Sequence, residues 1–245
     1  MKKIIKEMLT GVLLGDAHIR KVGVDKAFIS FEQSKQKSDY LLYLHKLISE
    51  GGFEVEEPKE YSREESRYPN RITESLYFRT KSLSELKPLA DLFLDNEGKK
   101  VIPANIADLL TPRSLAFWIM DDGQQVKNGG VTLCTDSFKS EEISLLRNAL
   151  SSKLNLTTTI HKKKSSSEGI YERIYISKPS LVEIKPLLKE HMHDSMLYKI
   201  NEIPTDPIAS TSTSTSTDPM DSTESEKLAR IMDIVSDIDS DIGDF

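Results

Sequence analysis

"LTGVLLGDA", Leu9–Ala17, and "LAFWIMDDG", Leu115–Gly123, share one design: an apolar run that ends on a carboxylate. The first closes on Asp16, the second on Asp121-Asp122 and a glycine. Two such segments in one chain point to two carboxylates delivered to one place. Gly11 and Gly15 lie four apart, on one face of a helix, and leave room for a second backbone to approach.

The sequence around these segments repeats. "SELKPLADL" at Ser84–Leu92 resembles "VEIKPLLKE" at Val182–Glu190, and "FISFEQSKQKSDYLLYL" follows the first carboxylate much as "GVTLCTDSFKSEEISLL" follows the second. Short runs rich in β-branched and aromatic residues read as strands: "FISFEQ" and "SLYFRT", then "VTLCT", "LTTTIHKK" and "RIYIS". Leu41, Leu44, Leu47 and Ile48, and again Ile143, Leu145, Leu146 and Leu150, fall at helical spacing. Ser38 and Ser140 stand near the starts of these helices as candidate N-caps. Each unit then reads as apolar helix, strand pair, amphipathic helix, strand pair, amphipathic helix. The first repeat covers 1–105, the second 106–203, and a tail covers 204–245.

Composition bounds the rest. The chain has 245 residues, 38% hydrophobic and 29% charged, which suits a globular protein with a sizeable core. The single cysteine, Cys134, excludes an intrachain disulfide and a cysteine-based zinc cluster. No apolar run reaches the roughly 18 residues of a membrane span. The opening "MKKIIKEM" mimics a signal peptide, but Lys6 and Glu7 interrupt it, so it reads as mature structure and the protein as not secreted. The tail from Pro204 carries a net −8 of the chain's −6, which leaves Met1–Ile203 mildly basic at +2. Its "STSTSTST" run has nothing to bury and reads as disorder. After it, Leu228, Ile231, Ile234, Val235 and Ile238 are spaced for a short amphipathic helix.

Both nonamers resemble the signature helix of the LAGLIDADG homing endonucleases. The likeness runs from about Leu9 to about Pro204, through "GVLLGDAHIR", "KKVIPANI", "LTPRSLAFWIMDDG", "LCTDSF" and "MLYKI" in order. It points to the single-chain, two-repeat branch of the intron-encoded yeast mitochondrial type. The resemblance implies an α+β fold, a pseudo-two-fold pair of αββαββα repeats with two antiparallel DNA-binding sheets and a central two-helix interface. It implies a monomeric endonuclease that cuts both strands of a long asymmetric DNA site and leaves 3′ extensions. It also implies an organellar setting, with intron RNA as an alternative partner through maturase activity. A DNA-binding protein of the same fold without catalysis is a further alternative.

The residues carry the same reading. Asp16 and Asp122 fall at the acidic place of the pattern and are expected to share Mg²⁺, with Mn²⁺ able to substitute, because hard cations take oxygen ligands. Such ions activate water and stabilise a leaving phosphodiester oxygen. Asp121 is expected at the inter-helix surface or hydrogen-bonded locally, and Phe117 departs from the small residue of the pattern. By resemblance, Lys100 and Lys199, at equivalent places in the two halves, lie near the scissile phosphates and act as catalytic residues. Gln33 and Thr135 fall at matching places on the first strands and are expected to hold water or a phosphate. The expected DNA face comprises Arg20, Lys21, Lys26, Arg63, Arg67, Arg71 and Arg79 in the first half, and Lys127, Asn128, Lys162, Lys163, Lys164 and Arg173 in the second. The histidines show no ligand spacing, and Trp118 and Met120 read as core.

Overall fold

Helix α1 (Lys3–Leu14) and helix α5 (Pro112–Asp122) lie against each other at the centre of the fold. They are seen in a computed structural model that describes residues 1–64, 72–164 and 169–203. Every residue from Met8 to Leu14 is buried, as is every residue from Ser114 to Asp121. A helix apolar on all faces is stable only inside a core, and each of these two supplies part of the other's cover. Pro112 opens α5 without losing a hydrogen bond, and Thr111 and Ser114 form a reciprocal capping box at its start.

The close approach depends on two glycines. A Cβ on Gly11 would sit 2.2 Å from the Ser114 carbonyl oxygen and 2.7 Å from Phe117 Cβ. One on Gly15 would sit 2.4 Å from Asp121 Cβ. The small residues are therefore on α1 and the bulky ones on α5, and this asymmetry accommodates Phe117 and Asp121.

Each central helix leads into the same sequence of elements. After α1 come β1 (His18–Val22), β2 (Lys26–Ser34), α2 (Ser38–Glu50), β3 (Lys59–Glu64), β4 (Ile72–Arg79) and α3 (Lys87–Phe93). A one-turn helix α4 (Ile106–Leu109) precedes α5. Then follow β5 (Gly123–Gln125), β6 (Val131–Leu133), α6 (Ser140–Leu154), β7 (Thr158–Lys164), β8 (Ile170–Ile176), α7 (Lys178–Lys189) and a 3-10 helix, Asp194–Ile200. The sheets are antiparallel and ordered β1-β2-β4-β3 and β5-β6-β8-β7. The matching order is the pseudo-two-fold pattern expected from the repeats. Met1–Pro204 form one compact unit, and Trp118 and Met120 are fully buried in its core.

Alternation gives each sheet a covered and an open face. On β2, Ala27, Ile29, Phe31 and Gln33 are buried, while Phe28, Ser30 and Glu32 face away from the core. The halves differ in reach: β1 and β2 have 5 and 9 residues, whereas β5 and β6 have 3 each.

Two expectations are corrected at the helix starts. Ser38 and Ser140 are the first helical residues rather than the caps, which are Lys37 and Lys139. At α6 the capping contact comes from Glu142, whose carboxylate accepts from the Lys139 N–H at 2.8 Å. The tail with its amphipathic segment lies outside the described residues, as do Arg67 and Arg71.

Gly11→Ala drives a methyl into a backbone carbonyl that cannot move without shifting α5. Overpacking of this kind costs about 1–3 kcal/mol. Urea denaturation is expected to show that loss; an unchanged midpoint would mean that the helices are not in close contact.

Candidate active site

Asp16 follows α1 immediately after its C-cap Gly15, and Asp122 is the last residue of α5. A helix end leaves its final carbonyls unpaired and carries partial negative charge, so placing acids there needs compensation. Two lysines supply it. Lys100 Nζ donates to the carbonyls of Gly15 and Ala17, both at 2.8 Å. Lys199 Nζ donates to those of Met120 and Asp121, the latter at 2.8 Å. Lys199 thus caps the last turn of α5, and Lys100 binds carbonyls at and just past the C-cap of α1. Lys199 is only 3% exposed.

The charges act on one another. Burial and the Asp16 carboxylate push Asp122 up to about 7, against the pull of Lys100 and Lys199. Burial and then Lys37 bring Lys199 down to about 8, opposed by the three carboxylates Asp121, Asp16 and Asp122. Burial likewise lowers Lys100, with the same three acids opposing. The five groups therefore form one electrostatic cluster.

Asp121 and Asp122 are separated by their surroundings. Asp121 is buried against Gly15, and its carboxylate accepts from Tyr40 Oη at 2.8 Å and from the Asp16 N–H at 3.2 Å. Burial, followed by Asp16, holds its carboxyl well above the usual range. This side chain ties α2, α1 and α5 together, while Asp122 is half-buried at the helix tip. Tyr40 was not among the sequence candidates. Its spacing with Leu41 and Leu44 reads as ordinary core, and only the fold brings it to Asp121.

Gln33 comes from the covered face of β2, and its Nε2 donates to Asp16 Oδ2 at 2.8 Å. Thr135 departs from expectation. β6 ends at Leu133, so Thr135 lies past the strand, fully buried, with its hydroxyl donating to the Glu172 carbonyl at 2.6 Å. His18 Nδ1 lies 2.8 Å from the Asp16 carbonyl oxygen.

The open sheet faces collect six of the other expected residues: Arg20, Lys26, Arg63 and Arg79, then Lys163 and Arg173. Arg20 and Arg63 line a cavity of about 890 Å³ together with Asp16, His18, Gln33 and Glu32. Arg79 lies on the same face, ion-paired with Glu56 at 2.7 Å and resting over the Phe28 ring. Lys26 is exposed at the start of β2. Lys21 is a correction: alternation turns it to the helix side, where it pairs with Asp91 of α3 at 2.8 Å. In the second half, Lys127 and Asn128 are exposed in the β5–β6 turn. Lys163 and Arg173 share the open face, with Arg173 held on Asp136 and, at 2.9 Å, on Gln124. Lys162 and Lys164 alternate to the reverse face, and Lys162 lies 4.0 Å from Glu172.

Among the described residues, no group of three or more His, Cys, Asp or Glu side chains is placed to hold a metal by itself. None of their helices is long and apolar enough to cross a membrane.

The chain matches known proteins over this whole region. The profile of the LAGLIDADG DNA endonuclease family covers residues 6–184. The cytochrome b mRNA maturase bI2 of Debaryomyces hansenii is 32% identical over 82% of this chain and 74% of its own. The probable intron-encoded endonuclease 1 of Wickerhamomyces canadensis is 30% identical over 82% of this chain and 85% of its own. Among solved structures, the homing endonuclease I-WcaI bound to its DNA recognition sequence superposes with a TM-score of 0.71 at 28% identity, covering 81% of this chain and 86% of that one.

The raised Asp122 carboxyl fixes the sign of a pH effect. Between about 4 and about 7 the folded protein keeps a proton that the unfolded chain has lost, so wild-type stability falls as pH rises through that window. Asp122→Asn removes this effect. In chelator, its advantage over wild type in urea is expected to grow from about pH 4 to about pH 7 and then level off. A difference that does not vary with pH would place Asp122 in bulk solvent.

Proposed function

This chain belongs to the LAGLIDADG DNA endonuclease family, and we propose how its own residues cut DNA. It is a site-specific double-strand DNA endonuclease of the homing type. The observation that carries the mechanism is the pair of helix ends, each with an acid at its tip and a lysine on carbonyls at or just past that end.

Asp16 and Asp122 are the residues that would hold divalent metal. The donor set fits: oxygen ligands only, with burial first and the Asp16 charge second pushing Asp122 up to about 7. A divalent cation relieves the repulsion between the two acids. Two carboxylates suit Mg²⁺, which takes few protein ligands and completes its shell with water and phosphate oxygens. When bound, such an ion supplies Lewis-acid polarisation and an acidified water. Gln33 holds one Asp16 oxygen in place, and Asp121 fixes the Asp16 backbone. Lys100 and Lys199 keep positive charge beside the cluster, where negative charge grows as a phosphodiester is displaced. The open faces of the two sheets lie in the major groove. There Arg20, Lys26, Arg63, Lys127 and Lys163 neutralise phosphates or meet base edges. The chain acts as a monomer, since both halves of the centre come from one polypeptide. The relatives' names support an intron-encoded, organellar origin, and the maturase among them makes intron RNA a second partner.

Asp16→Asn and Asp122→Asn are each expected to abolish double-strand cleavage of a plasmid carrying the uninterrupted host gene, with specific binding kept within about tenfold. Robust cutting by either variant removes that residue from the centre.

Lys100→Met and Lys199→Met are expected to slow one strand each by about 10²-fold or more. Nicked circles then accumulate before linear DNA. Linearisation at the wild-type rate without a nicked intermediate would reduce that lysine to a helix cap.

A further inference from the structure

The open face of the first sheet carries an acid where a DNA-binding surface is expected to be basic. Glu32 projects from β2 into the cavity shared by Asp16, Arg20 and Arg63. A carboxylate facing a polyanion is repelled by it, so its presence there needs a reason. The ordinary reason would be an ion pair that keeps a neighbouring cation in place. Glu32 instead accepts a hydrogen bond from a phenol, Tyr61 Oη. Two other cations of this half are engaged elsewhere, Lys35 with Glu60 at 2.9 Å and Arg79 with Glu56 at 2.7 Å, while Arg20 and Arg63 line the same cavity as Glu32.

The setting is also rigid. Tyr61 stands opposite Ser75 on β4, and Tyr77 stands opposite Glu32. The two tyrosine rings meet edge to face, 5.5 Å between centroids at 76°. This fixes the phenol that holds Glu32 Oε1, on a side chain that lines the cavity. An acceptor held in one position by neighbouring side chains is what base readout requires.

We propose that Glu32 is a specificity-determining residue that reads an exocyclic amino group, of cytosine or adenine, in the major groove. The proposal rests on the endonuclease reading above and adds what one position of the target must present. Major-groove amino groups are the only base-edge donors there, and a carboxylate is the side chain matched to them. Arg20 and Arg63, beside it, meet phosphates and base acceptors, so this face combines both polarities. Tyr61 is the positioning residue for that contact.

The test is a binding selection from fully randomised duplexes with the full chain, comparing wild type, Glu32→Ala, Glu32→Gln and Tyr61→Phe. Wild type is expected to select cytosine or adenine at one base pair by about tenfold. Glu32→Ala loses that preference and keeps the rest of the site. Glu32→Gln moves a cytosine preference to adenine, or retains an adenine one, because an amide pairs with the adenine edge; this arm tells the two bases apart. Tyr61→Phe weakens the same base pair and no other. A Glu32→Ala profile identical to wild type at every base pair, or one weakened evenly across the site, overturns the proposal and leaves the endonuclease reading standing. Failure of the wild type to select any sequence overturns that reading and the proposal with it.

Discussion

The distance between α1 and α5 is the constraint on which the rest depends. Gly11 and Gly15 let the backbones come together, and their missing side chains are replaced by Ser114, Phe117 and Asp121 of the facing helix. The contact runs from Gly11 against Ser114 and Phe117 to Gly15 against Asp121, so the C-terminal ends emerge side by side. The sheets then diverge from that point, β1 starting two residues after Asp16 and β5 directly after Asp122. The packing of two apolar helices therefore sets both the position of the acids and the placement of the open sheet faces proposed to meet DNA.

That arrangement concentrates negative charge where water is scarce. Asp16, Asp121 and Asp122 sit within one field, and Lys100 and Lys199 offset it from the helix ends. A buried acid left without partners would be strongly destabilising, and Asp121 is the most deeply placed of the three. Tyr40 and the Asp16 N–H satisfy it. Asp121 is thus spent on holding the centre together, which leaves Asp16 and Asp122 to face it. The remaining repulsion between Asp16 and Asp122 is what the proposed divalent cation would offset.

The sequence made the repeated architecture legible because apolar runs, alternation and the duplicated blocks all report burial, which is local to each element. It also located the acids and the lysines. Other features depend on which face an element turns and on where it stops. Lys21 sits one step out of phase with Arg20 and so faces α3 rather than the open face of the sheet. Thr135 lies past a strand that is only 3 residues long. Tyr40 reads as core because it is core, and its hydroxyl finds Asp121 through a contact 81 positions away. Glu32 carries the wrong sign for a DNA surface, so charge alone does not single it out. Its meaning appears only with Tyr61, which a different strand brings beside it.

The central claim is that Asp16 and Asp122 form one metal centre on DNA rather than two separate acids. Electron paramagnetic resonance of Mn²⁺ bound to the protein on its target duplex tests it most directly. The account predicts saturable Mn²⁺ binding that is weakened at the whole centre by either Asp16→Asn or Asp122→Asn, because each carboxylate serves ions that the other also feels. Wild-type Mn²⁺ occupancy and spectrum in either variant would contradict it.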